Sequence, residues 1–211
     1  MNRASWPHSH TVALLALCVV PVVAGAARLT CIATGETCHD SARFAAAPAP
    51  LVLHIATALP FCILGTLQIS GAFRRGWPRW HRNAGRVLAP IGFLAAISGI
   101  ALTLLYQPGA NDGSLLFGLR LVVGSAMYLA LVLAVEAIPR RDFQRHGAWM
   151  IRAYAIAMGA GTQVFVLLPW ALLLGPADTL TRALLMGLAW LMNLAIAEWS
   201  IRRATLRRNA S

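Results

Sequence analysis

Residues 80–106 read WHRNAGRVLAPIGFLAAISGIALTLLY. A histidine and two arginines stand at the mouth of an uninterrupted apolar run that ends on a tyrosine. Crossing the hydrocarbon core of a bilayer takes roughly 20 apolar residues. This stretch is therefore a membrane span that carries ionisable groups at its entrance. Such groups are costly in lipid, so they face a bundle interior, a cofactor or an ion path.

The rest of the chain repeats the pattern. It is 58% hydrophobic and only 12% charged, outside the range of ordinary soluble domains. Apolar runs cover roughly 11–27, 50–70, 85–106, 115–138, 150–174 and 180–201. The fold expected is all-α: a polytopic helix bundle with six transmembrane helices and no separate soluble domain. Residues 1–49 hold the first helix and a long loop, 50–201 a five-helix core, and 202–211 a basic tail. The net charge of +11 comes from 18 arginines without a single lysine. They cluster in short loops, which is the pattern of topology signals and lipid headgroup contacts and not of a nucleic-acid surface.

Segment 71–82 carries Arg74, Arg75, Arg79 and Arg82; 139–148 carries Arg140, Arg141 and Arg145; the tail carries Arg202, Arg203, Arg207 and Arg208. The alternate connections are poor in arginine: Arg28 and Arg43 in 28–49, and none in 107–114 or 175–179. The positive-inside rule then puts both termini in the cytoplasm. Trp77, Trp80, Trp149, Trp170 and Trp199 fall near span ends, as an aromatic belt does. The first run also resembles a signal peptide, with Arg3 before it and Ala24-Gly25-Ala26 near its end; a retained helix is the expectation. Cys31 and Cys38 share the 28–49 loop, where an oxidising exterior lets them pair, while Cys18 and Cys62 lie inside apolar runs as small hydrophobes.

Periodicity marks two faces. From His81, steps of 4, 11 and 18 residues reach Gly85, Gly92 and Gly99, all within about 40° of the histidine on a helix. His146 aligns similarly with Ala153 and Ala157, with Gly161 farther round. Small residues in such stripes let helices approach closely, and they also leave room for a flat ligand. His81 and His146 each follow an arginine-rich loop, with Arg86 and Arg152 one or two turns on. Glu136, Glu198 and Asn193 fall near the same level. His54 lies a turn into the second span, about 25 Å from the far end of that span, so it cannot share a small ligand with His81. Depth counting puts Arg120 at the level of His54. Three readings of these groups compete: a haem b site, a path for a small anion, and a salt-bridged network that only holds helices together. No glycine-rich phosphate loop, serine nucleophile elbow or zinc-spaced His/Cys set accompanies them.

The blocks Trp80-His81-Arg82-Asn83-Ala84-Gly85-Arg86 and His146-Gly147-Ala148-Trp149-Met150-Ile151-Arg152, with His54, Gln68, Arg120, Asn193 and Glu198, resemble a family of predicted bacterial membrane proteins of unknown function over roughly 50–201. That resemblance implies a topology and no activity. Over 54–100 the order His54, Gly65, Gln68, His81-Arg82-x-x-Gly85-Arg86 is also similar to two spans of the ascorbate-reducible transmembrane b-type cytochromes. In those proteins histidines on four helices ligate two haems. The likeness implies that His54 and His81 are ligands at different depths. Here only His54, His81 and His146 lie in spans, so His81 and His146 would complete one haem. The functional expectation is a haem b membrane redox protein with metal ligands His81 and His146, cofactor contacts from Arg86, Arg152, His54 and Arg120, and a quinone or membrane redox partner. The alternatives are a structural or assembly protein without cofactor and a small-anion carrier lined by Arg120, Arg86 and Arg152.

Overall fold

The structure, a computed structural model, describes residues 8–35, 44, 47–109 and 111–210. Its described residues form helices and connections without a strand, and six helical segments are long and apolar enough to cross a membrane. The chain divides into two compact units, 1–109 and 110–211.

The first unit holds α1 (His8–Thr34), α2 (Ala49–Ile69), the short α3 (Gly71–Gly76) and α4 (Pro78–Leu105). Pro50 and Pro78 sit in the first turns of α2 and α4, where a missing N–H costs nothing. Ser70 turns the chain between α2 and α3, its hydroxyl accepting from the Phe73 N–H at 3.4 Å. The α3 turn carries Arg74 and Arg75. Pro21, Pro60 and Pro90 lie inside helices that nevertheless continue. Small residues set the packing. A Cβ on Gly25 of α1 would lie 3.1 Å from Ile55 and 3.3 Å from Leu59 of α2. Phe44, Leu51 and Ile55 form a buried cluster with Leu29, Leu102 and Tyr106 around them.

The second unit holds α5 (Ser114–Glu136), α6 (Phe143–Ala157), α7 (Gly159–Leu174) and α8 (Thr179–Asn209). Carboxylates cap two of its helices: Asp142 accepts from the Arg145 N–H at 2.9 Å and Asp178 from the Thr181 N–H at 2.7 Å. Leu116, Ala183 and Met186 form its buried cluster, with Leu167 and Trp190 against it. Outward residues such as Val122, Leu172 and Leu191 are exposed, as the lipid-facing side of a bundle requires.

One element departs from expectation. The fifth span, Phe143–Leu174, is two helices and not one. The helical ladder is interrupted at Met158, whose carbonyl accepts from both Gly161 N–H (3.1 Å) and Thr162 N–H (3.2 Å). The break falls half-way along the span, at the poor helix formers Gly159 and Gly161, and not at Pro169, which α7 runs through.

Of the cysteines, Cys31 is disulfide-bonded; Cys38, its expected partner, lies outside the described residues. Cys18 and Cys62 are buried free thiols.

Candidate functional site

In the first unit α2 and α4 run antiparallel, and their contact explains the glycine stripe. Gly99 faces His54, whose Cε1 would stand 3.2 Å from an added Cβ. Gly85 faces the Gln68 side chain at 4.0 Å. Gly92, between them in sequence, is buried. At its two ends, then, the stripe is filled by side chains of α2, and no flat ligand is needed to account for it.

His54 places Nδ1 3.1 Å from the Ala95 carbonyl and 3.1 Å from the Ser98 hydroxyl. The hydroxyl already reaches the Leu94 carbonyl at 2.6 Å. A carbonyl only accepts, so Nδ1 carries the proton and Nε2 keeps its lone pair. His81 lies about 21 Å farther along α4 than Ala95, counting 14 residues at ~1.5 Å each. Its backbone carbonyl accepts from Gln68 Nε2 at 3.3 Å and its side chain is half-buried. His54 and His81 are thus held at opposite ends of one helix pair. Arg86 is exposed.

In the second unit His146 puts Nδ1 2.9 Å from the Ala134 carbonyl of α5. The acceptor again fixes Nδ1–H and leaves Nε2 as the lone-pair nitrogen. Arg152, six residues on, lies on another face of the helix. It makes a two-pronged pair with Glu198 of α8, Nε to Oε1 at 2.5 Å and an amino nitrogen to Oε2 at 3.0 Å. Its guanidinium also lies over the Trp149 ring at 4.5 Å. Glu136 is exposed. Arg120 does not stand open either: it pairs with Asp112 at 2.7 Å, and Arg182 takes the other oxygen at 3.1 Å. Of the six residues expected to touch a cofactor, each unit brings three, His54, His81 and Arg86 in one, Arg120, His146 and Arg152 in the other, and within neither unit do the three converge.

The ion pairs set measurable stabilities. Replacing Arg152 with Met removes the guanidinium from a carboxylate whose side chain is 37% exposed. A loss of about 1–2 kcal/mol is expected, below the ~3–5 of a fully buried pair because Glu198 is not enclosed by the protein. The double variant Arg152→Met/Glu198→Leu should recover most of it in thermal unfolding of the purified protein. Asp112 gives a pH signature. Burial raises its carboxyl pKa, but the hydrogen bonds and charges of Arg120 and Arg182 more than reverse this and hold it below the usual carboxylate range. A depressed folded-state pKa contributes stability that is complete above the unfolded value, near ~3.9, and is lost as pH falls through the folded value. Melting temperature should drop in that acid window, and the drop should be smaller in Asp112→Asn.

A polar cluster, of which the sequence singled out Asn193 alone, surrounds the α6–α7 break. Asn193 Nδ2 donates to the Ala155 carbonyl at 3.2 Å, and the Thr162 hydroxyl donates to Asn193 Oδ1 at 3.0 Å. A Cβ on Gly159 would lie 2.2 Å from Trp190 Nε1. Gln163 is buried, and its Nε2 has no hydrogen-bond partner among the described residues. The signal available in the sequence was Gly159-Ala160-Gly161-Thr162-Gln163, two glycines followed by a hydroxyl and an amide side chain in mid-span.

Among the described residues no group of three or more His, Cys, Asp or Glu could hold a metal ion; haem ligation by two imidazoles does not require one. What the arrangement defines is a polytopic α-helical membrane protein with histidines of fixed tautomer in helix contacts. The chain belongs to the family described as "Predicted membrane protein (DUF2306)", whose model matches residues 51–201. No curated protein and no solved structure matches it.

Proposed function

We propose that this protein is a haem b-binding redox protein of the bacterial inner membrane, with both termini cytoplasmic and with His81 of the first unit and His146 of the second each serving as a haem ligand. The observation that carries the reading is the His146 Nδ1 bond to the Ala134 carbonyl at 2.9 Å. A ligating histidine typically gives its other ring N–H to such a carbonyl, which sets the tautomer, orients the ring and makes the ligating nitrogen more basic. Haem, where bound, supplies one-electron chemistry whose potential burial and ligation tune. The chain's own part is to hold the imidazoles and to neutralise propionates. Arg86 is the guanidinium for that task, because Arg152 and Arg120 already have carboxylate partners. A quinone or a membrane redox protein would exchange electrons with it.

A second reading, a structural or assembly protein without cofactor, is favoured by the same ion pairs, which tie α6 to α8 and the segment before α5 to both α5 and α8. Those pairs also weaken the anion-carrier reading, since two of its three arginines are neutralised within the chain. The absorption spectrum of protein purified from membranes separates the readings. A Soret band, with an α band that sharpens on dithionite reduction, is expected for the haem protein. A featureless visible spectrum after expression with ample haem favours the structural protein.

A further inference from the structure

We infer that the break between α6 and α7 is a binding site for a membrane quinone, held through a carbonyl oxygen by the Gln163 amide. Discontinuous spans expose backbone polar groups at membrane depth, and such breaks recur where a site lines the span. Here the freed Ala155 carbonyl is already satisfied by Asn193, and Asn193 by Thr162. Gln163 is what remains: 9% exposed, with Nε2 unpartnered among the described residues. A donor left in that position is costly unless something accepts from it.

The helix geometry aims the amide at the break. Residue 163 follows Gly159 by one turn on nearly the same face, and helical side chains lean toward the N-terminus. The amide therefore covers the first turn of α7, where the Gly161 and Thr162 N–H groups share the Met158 carbonyl and the two N–H groups before them have no intrahelical acceptor. The N–H edge of Trp190 lies against Gly159 on the same face. The groups collected there donate hydrogen bonds, so the ligand must accept them.

Charge and depth select the class. Thr162, Gln163, Trp190 and Asn193 are all neutral, and Arg152 of α6 is held by Glu198. A carboxylate would meet no counter-charge half-way along a span. Lipid ester carbonyls lie at the headgroup boundary and not at this depth. A quinone brings an uncharged carbonyl into the hydrocarbon core. Ala160 and Val164, on either side of Gln163 in α7, are exposed, which gives an entry from lipid.

Quinone binding here does not require haem, and its test reads binding alone. Full-length protein in quinone-free nanodiscs is titrated with decylubiquinone, corrected for partition into empty discs. Saturable binding is expected, with Gln163→Leu weaker by about tenfold, the size of one buried hydrogen bond. Gln163→His, which keeps an N–H donor, should stay within about threefold of wild type. Without quinone, Gln163→Leu should melt at or above the wild-type temperature, because no bond of the amide N–H₂ is lost. Absence of saturable binding, equal binding by Gln163→Leu, or a clearly lower melting temperature for that variant would overturn the site. Displacement of bound decylubiquinone by decanoate at equal concentration would overturn the choice of a neutral ligand.

Discussion

Gly159→Ala is expected to destabilise the second unit by about 1–3 kcal/mol, the range for overpacking a close contact. The added methyl would sit 2.2 Å from Nε1 and 2.3 Å from Cδ1 of Trp190. Neither atom is the tip of a flexible chain: both belong to a rigid indole that also packs on the cluster of Leu116, Ala183 and Met186. Relief requires α7 and α8 to separate at the break. The usual gain of about 1 kcal/mol for Gly→Ala inside a helix offsets little, because residue 159 opens α7 and is not in its interior. Gly118→Ala is the control. It lies inside α5 with open space around it, so it should be neutral or slightly stabilising. Thermal unfolding in one detergent compares the two directly. Trp190→Phe, which shortens the ring system at the contact, should recover part of the Gly159→Ala loss. Equal melting temperatures for Gly159→Ala and Gly118→Ala would mean that the indole moves at no cost.

Why Gly159 and Gly161 alone were a weak signal for the break follows from the same contact. Span positions were legible because roughly 20 apolar residues in a row carry their own signal. The stronger breakers by residue type, Pro60, Pro90 and Pro169, all lie within continuing helices. A proline in a span is tolerated when neighbours take up the freed groups. Around Met158 the break has tertiary partners, Trp190 and Asn193, more than thirty residues away along the chain. The glycine stripe of α4 was half legible in the same sense. Periodicity gave the face, and Gly85 and Gly99 both turn it toward α2. It could not say that His54 and Gln68 occupy that face. Arg120 shows the limit of depth counting: its carboxylate is Asp112, eight residues earlier in a turn-rich loop, a partner that hydropathy does not reveal. Arg152 and Glu198 were legible as a level, since burial of a carboxylate near an arginine makes pairing the low-energy outcome.

If the proposed haem is bound, the three span histidines carry the largest expected effect, and their substitution separates what is ligated from what is only packed. On the proposed haem reading, His146→Ala is expected to abolish the Soret band, and His81→Ala to do the same, because each variant removes a proposed ligand. His54→Ala is expected to leave the band largely intact. Its Nδ1 is tied to the Ala95 carbonyl nearly as closely as that of His146 is to Ala134, at 3.1 Å against 2.9 Å. Tautomer alone therefore does not distinguish them; position does. His54 lies toward the end of α4 opposite His81, roughly 21 Å along the helix from it, with Gly99 pressed against its ring. Removing His54 should appear instead as lost stability, since the Gly99 face is left without its filler, a cavity cost of about 2–4 kcal/mol if the helices do not close on it. The readouts are thus crossed: haem content falls for His81 and His146 variants, melting temperature for the His54 variant. Halving of the haem content in His54→Ala would instead mean two haems at two depths, the arrangement of the four-histidine cytochromes, with a further ligand to be found. Retention of the band in both His81→Ala and His146→Ala would remove these residues as ligands and leave the ion-paired bundle as the better account of the protein.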